Sequence, residues 1–333
     1  MTVKNGAAST NKSYDFLVFI GRFQPFHKGH RRVLNKALAQ AERVIVLVGS
    51  SHQPRTIRNP WTFVEREQYI RASFDTATQE RLIILPLLDE LYSDQSWIKR
   101  VQDTVHGVVS QYPTKVGSST PKIALIGHSK DHTSYYLSLF PQWDSISVAT
   151  YKDISATGLR EQYFLQGNIG EEFPGPVRSL LQNFRQQTEY ATISEEWKFI
   201  RQYKQGWEVT PYPPVFITVD AVIIQSGHIL LVERKTSPGK GLWALPGGFV
   251  NQHETLQTAL LRELHEETHL KVPDPVLLSS LVCSQVFDHP QRSERGRTIT
   301  HAHLIELKPD AQGLPKVKGG DDAAKAFWLP LAE

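Results

Sequence analysis

Two kinds of apolar patterning divide this chain. In the first half, residues 14–20, 43–49, 82–87, 122–127 and 145–150 form short runs that are apolar without alternation, with Phe16-Leu17-Val18-Phe19 and Val44-Ile45-Val46-Leu47-Val48 the densest. A strand buried on both faces has that pattern, because neither row of its side chains meets water. Between these runs the spacing turns helical. Leu34, Leu38 and Ala41 fall on one face, and residues 63–74, 95–111 and 135–140 read as helices. Strands alternating with helices predict an α/β architecture, a doubly wound parallel sheet. Such sheets hold ligands at the carboxyl ends of strands where the strand order reverses. Gly21 and residues 49–53 both follow strands and are placed to share that crevice.

The pattern changes after residue 160. Gly167, Gly170, Pro174, Gly175 and Pro176 break structure, residues 177–187 and 195–205 read as short polar helices, and three prolines within residues 207–214 mark a boundary. Residues 215–224 and 228–232 then read as two strands joined across Gln225-Ser226-Gly227, a hairpin signal that opens a second domain. A helix is predicted over residues 255–268 and a strand over 298–307. The expected organisation is a polar tail at 1–13, a first domain at 14–187, a linker and helix at 188–212, and a second domain at 213–333.

Composition narrows the setting. The 333 residues are 40% hydrophobic and 21% charged with a formal net charge of +3, so there is core material for two domains and no global footprint for nucleic acid. Cys283 is the single cysteine, which excludes an intrachain disulfide and a thiolate metal cluster and suits a reducing, cytoplasmic setting. No apolar run approaches the roughly 20 residues of a membrane helix, so no membrane partner is expected. Sequence does not fix the oligomeric state, and a homo-oligomer is left open.

The first candidate site is Gly21-Arg22-Phe23-Gln24-Pro25-Phe26-His27-Lys28-Gly29-His30, between a strand and a helix start. Such a turn presents backbone N–H groups and the positive end of a helix dipole to an anion. His27 and His30 stand at i and i+3 on the first turn, beside Arg22 and Lys28. Ile154-Ser155-Ala156-Thr157-Gly158-Leu159-Arg160 adds a second helix start, with Ser155 as N-cap. Two helix N-termini with histidines and arginines suit a triphosphate.

These two stretches resemble the motifs of the nucleotidyltransferase superfamily, His-x-Gly-His and Ile-Ser-x-Thr-x-x-Arg, and the longer Gly-Arg-Phe-Gln-Pro-x-His resembles its archaeal-type nicotinamide mononucleotide (NMN) adenylyltransferases. Asn59-Pro60-Trp61-Thr62 and Trp97 also look like positions of that family. The resemblance, over about residues 14–170, implies a Rossmann-like fold and adenylyl transfer from ATP to NMN, giving NAD. It implies that His27 and His30 hold ATP phosphates and that Arg160 takes the β/γ end. Gly21, Phe23, Gln24, Ser155 and Thr157 would line the site, Arg22 and Lys130 would add clamps, and Trp97 would stack on the nicotinamide ring. The acceptor phosphate is already ionised, so this chemistry needs positioning and charge neutralisation and no general base. Another phosphate-bearing acceptor is the alternative.

The second candidate site runs from Gly248 to Leu270. Glu254 follows Gly248 by six residues and Arg262-Glu263-Leu264-His265-Glu266-Glu267 lies on the predicted helix. At 100° per residue, Glu263, Glu266 and Glu267 share an arc with Leu256, Ala259 and Leu260, so the acids are expected to turn toward the domain body. Inward carboxylates need a cation, and oxygen ligands favour Mg2+ or Mn2+. The spacing resembles the Nudix box, whose owners fold as α/β/α sandwiches and cleave nucleoside diphosphates linked to another group. The resemblance makes Glu263, Glu266 and Glu267 metal ligands with Glu254 assisting, and makes Arg262 a brace. Mg2+ or Mn2+ is then expected in both domains. His269 stands where the pattern has glycine, at a helix end where positive φ is common. Downstream, Ser284-Gln285-Val286-Phe287-Asp288, the basic loop 292–297 and Gly319-Gly320-Asp321-Asp322-Ala323 look like Nudix members acting on ADP-ribose, with Phe287 against a base and Arg295 and Arg297 against the diphosphate. A non-hydrolytic ADP-ribose sensor regulating the first domain is the alternative, and the intact acid set argues against it.

Overall fold

The computed structural model describes residues 12–112, 120–128, 137–149, 151, 154–311 and 313–332. The chain divides into two units, Met1–Ser194 and Glu195–Glu333. Among the described residues no helix is long and apolar enough to cross a membrane.

The first unit runs β1 (Tyr14–Gly21), α1 (Lys28–Gln40), β2 (Ala41–Val48), α2 (Phe63–Arg71), α3 (Thr76–Gln79), β3 (Leu82–Pro86), α4 (Asp94–Val109), β4 (Ile123–His128), β5 (Asp144–Val148), α5 (Ala156–Gln166), α6 (Gly175–Phe184) and the start of α7 (Thr188–Gln205). Its five strands are all parallel in the order β3-β2-β1-β4-β5. The continuous apolar runs are explained by this burial. Leu17, Val18, Ile45, Leu47 and Leu125 are fully buried, with α4 supplying Val101 and Val105 to one face and α1 supplying buried Val33, Leu34 and Ala37. The order reverses between β1 and β4, so the switch point lies at the carboxyl ends of those two strands, whereas residues 49–53, expected to share the crevice with Gly21, follow β2 on the other side of β1.

Some boundaries differ from the sequence reading. The two short polar helices are α6 and an 18-residue α7, which starts at Thr188 rather than 195, with Ile193 and Ile200 buried. The division between units falls inside α7 rather than at the prolines of residues 207–214. Residues 129–136, which include the start of the predicted helix at 135–140, lie outside the described residues, as do 1–11 of the expected tail.

The second unit continues with β6 (Val215–Gln225), β7 (His228–Arg234), β8 (Trp243–Ala244), β9 (Gly247–Phe249), α8 (Leu256–Thr268), α9 (Asp274–Ser279), β10 (Leu281–Phe287), β11 (Arg297–Leu307) and β12 (Ala323–Pro330). They form a mixed seven-stranded sheet in the order β10-β11-β6-β7-β12, with β8 on β7 and β9 on β6. The β6–β7 hairpin turns at Ser226 (φ 49°) and Gly227 (φ 73°), the paired left-handed residues that match strand twist. Val219, Ala221 and Ile223 of β6 meet Ala259, Leu260 and Leu264 of α8 in the core. That contact seats α8 against β9 and positions the second site.

Candidate active sites

The first site is built where β1 ends. Gly49 donates its N–H to the Gly21 carbonyl at 2.9 Å, continuing the strand pairing to the crevice. Phe23 then takes φ 52° and turns its ring inward onto Phe19 and Phe26. His30 lies on this apolar bed, 4.9 Å from the Phe23 centroid and 5.7 Å from that of Phe26. His27 is the N-cap of α1. Its Nδ1 accepts from Gly29 N–H at 3.1 Å, and its own N–H donates to His30 Nδ1 at 3.3 Å. The rings stack 3.7 Å apart. An imidazole nitrogen that accepts a backbone N–H holds no proton, so in the neutral ring the proton is on Nε2. Both histidines therefore carry an Nε2–H donor at a helix N-terminus, where the dipole already favours an anion. A Cβ at Gly29 would lie 2.9 Å from the His27 ring, so only glycine permits the stack.

The second motif is tied to the first by Arg160. Its buried guanidinium donates from Nε to Ile57 O at 3.1 Å, from one amino group to Gln24 O at 2.8 Å, and from the other to Thr157 Oγ1 at 3.1 Å. Ser155 Oγ caps α5 by accepting from Gly158 N–H at 3.4 Å. Residues 136 apart in sequence are thus fastened together at one place.

The structure redistributes several expected roles. Arg160, read as a phosphate ligand, commits these donors to bracing. The Gln24 amide grips the Trp61 backbone, donating to its carbonyl at 2.8 Å and accepting from its N–H at 3.1 Å, and Phe23 is buried. A role for Phe23 and Gln24 at the site is left to their backbone, because their side chains are committed to packing. Arg22 is exposed after Gly21. Trp97 on α4 is half-buried, its ring 5.9 Å from Phe140, a placement that serves the core. Lys130 lies outside the described residues.

Three residues escaped the sequence reading. Arg66 on α2 is fully buried and donates to the carbonyls of Thr62, Arg22, Gly49 and Ser50 at 2.6–3.1 Å, binding the loops after β1 and β2. Burial pushes its pKa down to about 10, so it stays charged at neutral pH. Asp89 accepts from Ser50 N–H at 3.0 Å and its hydroxyl at 2.6 Å. His128, at the carboxyl end of β4, brings Nε2 to 4.0 Å from where a Gly29 Cβ would be. All three join segments far apart in the chain, where spacing along the sequence carries no signal.

The second site is organised by Arg262. It grips Glu254 bidentately at 3.0 and 2.7 Å, donates to Glu263 at 2.9 Å and Glu266 at 3.0 Å, and reaches the Phe249 carbonyl at 3.0 Å. The Arg262 guanidinium holds the pKa of Glu254 down to about 2, and its partners raise that of Arg262. Gly247 N–H donates to Glu267 at 2.9 Å, and a Cβ on Gly248 would meet the Glu263 carboxylate at 2.5 Å, so this strand must be glycine where the acids approach it. Burial pushes Glu267 up to about 7, with the charges of Glu263 and Asp322 adding to it. Burial also raises Glu263, helped by Glu266 and Asp321. Glu266 corrects the expectation that all three acids turn inward. It sits at the flank of the arc, 45% exposed, drawn to Arg262 one turn earlier.

Among the described residues no three ligating groups converge on one point. Glu254 and Glu266 are engaged with Arg262. The donor set nevertheless fits a hard divalent cation. Glu267 is buried and Glu263 half-buried, and the two carboxylates repel one another beside a glycine strand, so a cation would relieve both burial and repulsion. His269 adopts φ 50°, ψ 28°, the left-handed conformation expected of the replaced glycine, and its Nδ1 lies 3.2 Å from Lys318 O. Gly320 leaves room for the ring, since a Cβ there would lie 2.1 Å from His269 Cε1.

Of the downstream residues, Arg295 lies over Phe249 at 5.3 Å and Tyr203 at 5.7 Å, and burial lowers its pKa. Arg297 is not brought to it, because it pairs with Asp288. Phe287 ends β10, half-buried. Arg234, unforeseen, closes β7 with Nε donating to Pro238 O at 2.9 Å, and its charge reaches Glu267 and Asp220.

A cytidylyltransferase-like family model matches residues 18–162 and a NUDIX domain model matches residues 215–333. The nicotinamide/nicotinic acid mononucleotide adenylyltransferase of Acinetobacter baylyi is 36% identical over 186 residues, 56% of this chain and 94% of that protein. The ADP-ribose pyrophosphatase of Methanocaldococcus jannaschii is 36% identical over 115 residues, 34% of this chain and 62% of that protein. The crystal structure of a bifunctional NMN adenylyltransferase/ADP ribose pyrophosphatase from Francisella tularensis, complexed with AMP and an Mn ion, matches with a TM-score of 0.88 at 37% identity, covering 96% of this chain and 92% of that chain.

Proposed function

Given that this chain belongs to the family of bifunctional NMN adenylyltransferase/ADP-ribose pyrophosphatases, we propose that residues 14–187 transfer AMP from ATP to NMN and that residues 213–333 hydrolyse ADP-ribose, with 188–212 connecting them. In the first reaction an NMN phosphate oxygen attacks the α-phosphorus of ATP, a new P–O–P link forms, and pyrophosphate leaves, giving NAD. In the second, water adds across the diphosphate of ADP-ribose and yields AMP and ribose 5-phosphate. A cytoplasmic setting is part of this reading, on the strength of the phosphorylated nucleotides handled.

The observation that carries the transferase reading is the Arg160–Gln24 link, which makes one site of two helix N-termini. His27 and His30 present Nε2–H donors to the ATP phosphates and stabilise charge on the departing pyrophosphate. Arg22 adds an exposed positive charge, while Arg160 and Arg66 hold the turns in register. In the second unit Glu263 and Glu267 would hold a divalent ion, Mg2+ or Mn2+, with Glu266 joining on release from Arg262. That ion would polarise the diphosphate and lower the pKa of attacking water. Arg262 and Glu254 keep the loop and helix aligned, and Arg295 and Arg234 offer positive charge to the substrate.

Incubation of the protein with ATP, NMN and Mg2+, and separately with ADP-ribose and Mg2+, followed by nucleotide chromatography, tests both halves. NAD and pyrophosphate are expected in the first tube, AMP and ribose 5-phosphate in the second. Absence of NAD sinks the transferase assignment, and unchanged ADP-ribose sinks the hydrolase.

A further inference from the structure

Glu196, Ile200, Tyr203 and Trp207 recur at helical spacing, so they share one face of α7 and the turn that follows it. Glu196 on that face is buried and accepts the Gly239 N–H, and Ile200 is buried. Tyr203 and Trp207 meet Phe216 of β6 with ring centroids 6.0 and 5.5 Å apart, and Phe216 meets Phe249 of β9 at 5.6 Å. Residues that precede the 215–333 NUDIX match therefore complete a bed of four rings with β6 and β9. Arg295 lies on this bed, its guanidinium 5.7 Å from the Tyr203 centroid and 5.3 Å from that of Phe249. Among the described residues its Nε–H is buried without a hydrogen-bond partner, which is destabilising in the unliganded chain. Its charge is repelled by that of Arg234 and drawn by that of Asp322. The bed also adjoins the acids, since the Phe249 carbonyl accepts from Arg262 at 3.0 Å and Gly248, the residue before, packs against the Glu263 carboxylate.

We propose that Tyr203 is a positioning residue of the hydrolase, its ring holding the Arg295 guanidinium over Phe249 with its N–H donors kept for the diphosphate of the substrate. The inference rests on the hydrolase reading given above, and adds that a helix ahead of the matched domain sets the affinity for ADP-ribose. An aromatic face attracts a guanidinium without consuming any of its N–H groups. A carboxylate in the same place would pair with those groups and withdraw them from the substrate. Two guanidinium groups that repel one another, Arg234 and Arg295, favour an anion between them, and a diphosphate beside the metal-binding acids supplies one. Tyr203 makes and breaks no bond. Its loss therefore weakens ground state and transition state alike, and appears in KM rather than in kcat.

Steady-state hydrolysis of ADP-ribose by the full chain with Mg2+ tests this, with circular dichroism of each variant. Tyr203→Leu and the more adaptable Tyr203→Met keep apolar bulk against Phe216 and Trp207 and offer no ring face. Each should raise the KM for ADP-ribose about tenfold with kcat unchanged. Tyr203→Phe retains the face and should match the wild type. Arg295→Met should raise KM at least as far, and adding Tyr203→Leu to it should raise KM no further, because the ring acts only through the guanidinium. A wild-type KM in both Tyr203→Leu and Tyr203→Met overturns the role of Tyr203 and leaves the hydrolase reading standing. So does a loss confined to kcat, or a KM that rises again when Tyr203→Leu is added to Arg295→Met. A wild-type protein that leaves ADP-ribose unchanged overturns the hydrolase reading and this inference with it.

Discussion

The two sites meet opposite electrostatic demands. On the proposed reading the first holds an anion at two helix N-termini, with the His27 and His30 rings at one, each Nδ1 accepting a backbone N–H, and the Ser155 cap at the other. Its buried charged groups, Arg66 and Arg160, donate to backbone carbonyls and serve as braces. The second must hold a cation before it can hold an anion, and gathers carboxylates that burial pushes toward protonation. One arginine, Arg262, keeps that set together. A site of buried acids is destabilising until its ion arrives.

The contrast predicts where each half breaks. On the proposed reading Glu267→Gln removes a buried metal donor and should lower ADP-ribose hydrolysis by at least about 10^2-fold, read as kcat with saturating Mg2+. His30→Ala removes one preorganised donor and should lower kcat for adenylyl transfer by about 10^2–10^3-fold. Arg160→Met leaves the Gln24 and Ile57 carbonyls without their buried donor. It should lower the melting temperature of the first unit, at a cost of about 3 kcal/mol, and raise the KM for ATP as the two motifs lose register. An unchanged melt would return Arg160 to a purely ligand-binding role.

The smallest effect is on pH dependence, and its sign follows from the acids of the second unit. Glu196, Asp220, Glu263 and Glu267 are all raised, burial being the first cause in each. A raised carboxyl stabilises the fold below its unfolded pKa and loses that contribution as pH rises through its folded value, about 7 for Glu267. Thermal melts of metal-free protein should therefore show the second unit weakening as pH rises from about 4.5 to about 7. Glu196→Gln keeps an acceptor for Gly239 N–H and removes one buried charge, so it should reduce the slope. A second unit that gains stability over that range contradicts the assignment of these acids as buried.

Much of this was legible from residues alone, for identifiable reasons. The parallel sheet showed because strands buried on both faces cannot alternate, as in Val44–Val48. The histidine turn, the Ser155 cap, the acid helix and the left-handed His269 showed because each is local, settled within one or two helical turns. What failed was long-range or competitive. Arg66 and Asp89 bind carbonyl and hydroxyl groups of other segments, which no periodicity reports. Trp97 rests half-buried beside Phe140, a long-range contact that its helical spacing does not report. Glu266 turned outward because Arg262 held it more strongly than the protein interior could. The helix expected over 195–205 begins seven residues earlier, at Thr188, because its buried positions, Ile193 and Ile200, are two turns apart among polar residues and mark no start.

On the proposed reading the two sites act independently, and the most direct test carries His30→Ala and Glu267→Gln through both assays side by side, with circular dichroism of each. NAD formation should be unchanged in Glu267→Gln, and ADP-ribose hydrolysis should be unchanged in His30→Ala. A loss of the distant activity in either variant, with the fold intact, would contradict that independence.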